Sequence, residues 1–165
     1  MKRGLMLIVG LMLAAGVCQA QVSSKAVTVT PSRGVPTQIT LDLVSSTAVA
    51  GIQGQINYDS TIFSNPKVEG GLGASGFIIM GNLVTPGQYR FIVYANPTKS
   101  LQTAYTVLQF TFDTASVLPI GGSKTITYTI EAASTTGGSS ISSVNFADVT
   151  VLFKRNSADN WSIYR

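Results

Sequence analysis

Few side chains in this 165-residue sequence can do acid–base or metal chemistry. The seven carboxylates are Asp42, Asp59, Glu69, Asp113, Glu131, Asp148 and Asp159, and they form no close acidic cluster. A glycosidase needs two carboxyls across the scissile bond. Only folding from distant positions would assemble such a pair here, which leaves a hydrolase as a remote reading. There is no His, and the single Cys is Cys18. Ser–His and Cys–His nucleophile systems are therefore excluded, and so are ordinary zinc sites. No EF-hand loop is present. No catalytic residue, no metal ligand set and no cofactor is expected, so the chain is read as a non-enzyme.

Two glycine-rich stretches invite phosphate chemistry. "GLGASG" at 71–76 satisfies G-x-G-x-x-G. The dinucleotide mechanism needs a buried strand before that motif and a helix opening after it. Here "NPKVEG" precedes and "FIIM" follows, so a loop between strands is expected. "GGSK" at 121–124 lacks the spacing of a phosphate loop and reads as a turn entering a strand.

Binding chemistry is better represented. "GIQGQINYD" at 51–59 sets Ile52, Gly54, Ile56 and Tyr58 on one side of an extended chain. Gln53, Gln55, Asn57 and Asp59 take the other side, an amide-rich wet row. Asp59 ends the strand, where an aspartate accepts backbone N–H bonds and sets an Asx-type turn. Tyr94, Tyr105, Trp161 and Tyr164 are candidates to face solvent, as the aromatic platform of a sugar-binding module would require.

These residues must be positioned by strands. Runs of period two recur between turn signals. "KAVTVT" is followed by the turn "PSRGVP". "TQITLDLVSS" alternates Ile39, Leu41 and Leu43 against Thr40 and Asp42. "STIFSNPKVEGG" reads as a turn with a short extended piece, and "SGFIIMGN" as a short apolar run at 77–80. "GQYRFIVYANP" alternates Tyr89, Phe91 and Val93 against Arg90, Ile92 and Tyr94. "TVLQFTFD" sets Leu108, Phe110 and Phe112 against Gln109, Thr111 and Asp113. "SKTITYTIE" sets Ile126, Tyr128 and Ile130 against Thr127, Thr129 and Glu131. "AASTTGGSS" reads as a loop, and "NFADVTVLF" closes the pattern. No helix is convincing. Strands that each carry one dry and one wet side pack as two sheets, dry face to dry face, which predicts an all-β sandwich.

The first twenty residues stand outside that pattern. Lys2 and Arg3 precede an apolar stretch at 4–17, and "CQA" ends in a small residue. This reads as a signal peptide at 1–20 cut after Ala20, of bacterial type, directing a secreted or periplasmic protein. A lipoprotein site at Cys18 is the lesser alternative, because Val17 stands where such sites want a small residue. The domain is then 21–153, with a C-terminal tail at 154–165. Loss of Lys2 and Arg3 takes Lys+Arg from 11 to 9 against 7 acids, a net charge of about +2. The remaining basic residues are scattered, so no nucleic-acid partner is expected. The mature chain has no stable membrane span and no cysteine to form a disulfide.

The order of these segments resembles the cohesin domain, a β-sandwich of the carbohydrate-binding-module-like group. "KAVTVTPSRGVPTQITLDLVSS", "VAGIQGQINYDSTIF", "GQYRFIVYANP", "YTVLQFTF" and "FADVTVLF" carry the resemblance, over about 25–153. It implies a nine-stranded jelly-roll sandwich and a secreted adaptor that docks a dockerin-type protein module, in the setting of polysaccharide-degrading assemblies. It also implies that the docking face is the wet side of strands three, five, six and eight. By order these carry Gln53, Gln55 and Asn57; the run at 77–80; Arg90, Ile92 and Tyr94; and Thr127, Thr129 and Glu131. In that reading amides and Tyr94 hydrogen-bond around an apolar Ile92, and Arg90 pairs with an acidic group. The chain departs from many dockerin-binding members at Gly51 and Gln53, where acidic or Asn side chains are common. It departs again at Thr103 and Ala104, where a Gly is frequent. The alternatives are a carbohydrate-binding module recognising polysaccharide and a cell-surface structural or adhesive subunit that pairs through an edge strand such as "KAVTVT".

Overall fold

The computed structural model describes residues 21–95 and 98–154. The expected leader with Cys18, and the tail beyond Lys154 with Trp161 and Tyr164, lie outside the described residues. Twelve strands follow in chain order. They are β1 (Gln21–Ser24), β2 (Val27–Val29), β3 (Thr37–Leu41), β4 (Leu43–Ser45), β5 (Val49–Asn57) and β6 (Phe63–Gly70). Then come β7 (Ile78–Thr85), β8 (Gln88–Tyr94), β9 (Leu108–Thr114), β10 (Ser123–Thr135), β11 (Ser143–Asn145) and β12 (Val149–Leu152). Three pairs are pieces of one extended run: β1 with β2, β3 with β4, and β11 with β12.

The strands form a six-stranded sheet, β2-β12-β10-β5-β8-β7, and two three-stranded sheets, β3-β9-β6 and β11-β1-β4. Each broken run changes sheets at its break. Asp42 stands at the break between β3 and β4, and its carboxylate accepts a hydrogen bond from Thr106 Oγ1 at 2.7 Å. The inward rows read from the sequence meet in one core: Ile39 and Leu41, Ile52 and Ile56, Phe91 and Val93, Phe110 and Phe112 are all buried. Phe91 on β8 meets Phe110 on β9 edge-on at 5.2 Å, and Phe110 lies 6.1 Å from Tyr128 on β10. These contacts tie the six-stranded sheet to its opposite layer. The buried hydroxyls of Thr37 and Thr114 hydrogen-bond to each other at 2.8 Å, so neither is left without a partner in the core.

Local expectations differ from the structure in four places. Gln21–Ser24, polar in sequence, is β1; backbone pairing to β4 and β11 holds it, and only Val22 is fully buried. β6 is a full eight-residue strand, although Asn65 and Pro66 break its register with β9. The run at 77–80 belongs to a strand reaching Thr85. β10 continues through "AAST", where a loop was expected, because Ala133 is buried opposite Ile52. "GLGASG" is a compact connection with a 3-10 turn at Leu72–Ala74, and no α-helix opens after it.

Candidate docking face

Four neighbouring strands of the large sheet, β10-β5-β8-β7, present an outer face away from the core. Directly paired residues share a face, so the register builds the site in four tiers. Thr127, Asn57 and Gln88 form the first; Thr129, Gln55, Arg90 and Asn82 the second. Ala132, Gln53, Ile92 and Met80 form the third; Ser134, Gly51, Tyr94 and Ile78 the fourth. Glu131 is the extra residue of a bulge between Ile130 and Ala132. The bulge leaves two successive residues opposite Gln53 and turns the Glu131 side chain onto the outer face. All nine residues expected on the face, Gln53, Gln55, Asn57, Arg90, Ile92, Tyr94, Thr127, Thr129 and Glu131, are therefore brought together there.

The polar tiers are hydrogen-bonded within themselves. Gln53 Nε2 donates to Glu131 Oε2 at 2.6 Å. The Arg90 guanidinium reaches Glu131 Oε1 through Nε at 3.1 Å and through its terminal amine at 2.9 Å. The Gln53 hydrogen bond, helped by Arg90, holds the Glu131 carboxyl below its ordinary pKa. Gln55 Nε2 donates to Asn57 Oδ1 at 2.7 Å, and Asn57 Nδ2 donates to Thr129 Oγ1 at 3.2 Å. In the chain by itself, the acidic group facing Arg90 is Glu131 of the same sheet. The amide row is likewise joined to its neighbours along and across the strands.

The other half of the face is apolar. Ile78 and Met80 on β7 stand exposed beside Tyr94 and Ile92 on β8. A hollow of about 220 Å³ opens between Gly51, Ile92, Tyr94, Ala132 and Ser134. A groove of about 380 Å³ runs beside Met80, Asn82, Arg90 and Ile92. The sequence reading placed the run at 77–80 on the face without naming Ile78 and Met80 as its outward residues, and it missed Asn82, Gln88 and Ala132. β7 has apolar residues on both sides, so no period-two contrast identifies its outer row; only its register with β8 does. Ala132 is missed because a bulge changes the parity of β10 without any signal in composition.

Asp59 lies at the end of β5 and takes the turn role expected of it. Its Oδ1 accepts from Thr61 N at 3.0 Å and Thr61 Oγ1 at 2.6 Å, and Lys124 Nζ lies 3.3 Å from Oδ2. Among the described residues no group of three or more His, Cys, Asp or Glu is placed to hold a metal. No described helix is long and apolar enough to cross a membrane.

No family model matches the chain, and no curated protein sequence matches it. Solved structures do match. A non-cellulosomal cohesin from the archaeon Archaeoglobus fulgidus superposes with TM-score 0.66 at 11% identity, covering 89% of this chain and 99% of that one. A type I cohesin–dockerin complex from Clostridium thermocellum contains a chain matching with TM-score 0.64 at 15% identity, over 82% and 94%. The cohesin CaCohA2 from Clostridium acetobutylicum gives TM-score 0.63 at 15% identity, over 84% and 94%. The fold is that of the cohesin domain.

Proposed function

We propose that this chain is a secreted, non-enzymatic docking module that binds a protein partner, of dockerin type, on the outer face of β10-β5-β8-β7. One observation carries the reading: an apolar patch of exposed Ile78, Met80 and Tyr94 around half-buried Ile92 lies beside polar tiers that are neutralised and hydrogen-bonded internally. Such a face favours a partner that contributes apolar anchors at its centre and neutral polar groups at its rim. The cohesins of cohesin–dockerin complexes share this fold, which supports a dockerin-type partner. Secretion is supported by Lys2, Arg3 and the apolar stretch at 4–17; amino-terminal sequencing of the exported protein tests it, with Gln21 expected first.

The docking test is a pull-down of dockerin modules from the organism's own proteome. Wild-type protein retains one, and Met80→Asp or Ile92→Asp loses it while far-UV circular dichroism stays unchanged. Capture of no dockerin, or capture indifferent to both substitutions, rejects the reading. Retention on insoluble polysaccharide that Tyr94→Ala abolishes would replace it with a carbohydrate-binding module.

A further inference from the structure

β7 ends the six-stranded sheet, hydrogen-bonded to β8 on one side and, among the described residues, to no strand on the other. An open strand edge is a template for another strand, and proteins guard such edges with shortness, charge, proline or bulges. The other sheet ends here are guarded. β2, β4 and β11 have three residues each, and β3 has five, directly after Pro36. β6 matches β7 in length but carries Pro66, Lys67 and Glu69, with Asn65 at φ +48 where its register breaks. β7 reads "IIMGNLVT", eight residues without a charge or a proline, and its one irregularity falls near its end, at Val84. Ile78, Met80 and Leu83 on it are 51%, 51% and 52% exposed.

We infer that β7 pairs antiparallel with β7 of a second copy of this chain, across a two-fold axis at Gly81, joining the two six-stranded sheets into one. Two features select a second copy over an unrelated strand. The inner row of β7 is matched with itself about Gly81, and its outer row carries no charge. That register sets Ile79 opposite Leu83 on the inner side and the neutral pair Met80 and Asn82 opposite each other on the outer side. The charges of β6 then complement each other about the same axis. Gly81 lies against the Tyr89 hydroxyl, and Tyr89 hydrogen-bonds the backbone at Val68, so Val68 marks the axis on β6. Lys67 and Glu69 flank Val68 and are both exposed. The two-fold operation brings Lys67 of each copy toward Glu69 of the other, making two equivalent opposite-charge pairs. Arg90, on the neighbouring strand, is already neutralised by Glu131 and does not oppose the approach. One strand pair with two ion pairs falls short of the ~1,200 Å² that stable complexes bury. The dimer is therefore concentration-dependent, and both docking faces look the same way.

Sedimentation equilibrium of the purified protein tests this. Wild type is expected to pass from monomer to dimer over a roughly micromolar range. Leu83→Lys, exposed and off the outer face, stays monomeric at concentrations where wild type is paired. Glu69→Lys weakens association roughly tenfold, and Lys67→Glu combined with Glu69→Lys restores it. A wild-type chain that remains monomeric at millimolar concentration overturns the inference. So does an association that Leu83→Lys leaves intact, or a double charge swap that pairs no better than the single one.

Discussion

Asp59 and Glu131 are both held below the ordinary carboxylate range, for different reasons. Asp59 is lowered first by the Thr61 hydroxyl, then by the Thr61 backbone N–H and by Lys124. Its folded pKa lies under the ordinary 3.8, so the unfolded chain binds the proton first as pH falls. The stabilisation is complete above that value and disappears as pH drops from it through the folded pKa. Asp59→Asn keeps an acceptor for Thr61 and is expected to retain most stability at neutral pH, while flattening the loss on the acid side. Asp59→Ala removes the turn and costs about 1 kcal/mol, the scale of a lost cap. Urea denaturation at pH 7 and pH 3 distinguishes the two. Glu131 reports on the docking face instead. Its carboxyl resonance is expected to titrate below the ordinary 4.5 and to move back toward it in Gln53→Ala, since Gln53 is the largest cause of the shift. An unmoved midpoint would mean that Arg90 alone sets it.

At the scale of the strand, Gly54 explains the one gap in the inward row of β5. A Cβ there would lie 2.8 Å from the Thr129 carbonyl oxygen, 2.9 Å from Ile130 Cδ1 and 3.2 Å from the Phe91 ring. The carbonyl belongs to the paired strand β10 and cannot swing aside. Gly54→Ala is therefore expected to cost about 1–3 kcal/mol by overpacking, and Gly54→Val more, read as a fall in urea midpoint. The docking face should weaken along with it, because β5 lies between β10 and β8. Alternation made the inward rows of β5, β8 and β9 legible from sequence, and with them the sandwich. It also placed Gln53, Gln55, Asn57, Arg90, Ile92 and Tyr94 on outward rows. What alternation cannot carry is pairing. The extension of β10, the bulge that seats Glu131 and the outer row of β7 all depend on which residue of a neighbouring strand stands opposite. That is settled by long-range hydrogen bonding and not by local pattern. β1 is the extreme case, four mostly polar residues that become a strand because two other strands flank them.

The molecule as a whole rests on one core shared by all three sheets. From residue 21 onward the sequence has no cysteine, so no disulfide supplements it. Phe112 is fully buried near its centre, 5.1 Å from the Tyr58 ring and 5.5 Å from Phe63. Tyr58 directly follows β5 of the large sheet, whereas Phe112 lies on β9 opposite it, so this ring bridges the layers. Phe112→Ala is expected to cost about 3–5 kcal/mol, a large share of the 5–15 kcal/mol typical of a whole domain. Met80→Asp, on the exposed face, should shift stability by no more than about 0.5 kcal/mol. Fold and docking are thus separable by substitution: the inner rows carry one, the outer rows the other. Because the small β11-β1-β4 sheet contributes Val22 and Leu43 to the common core, it should not melt on its own. Far-UV circular dichroism and tyrosine fluorescence should give coincident urea transitions in wild type and in Phe112→Ala, with an unchanged slope. Two separated transitions would show that the broken runs, which change sheets at 25–26, 42 and 146–148, divide the sandwich into independently unfolding parts.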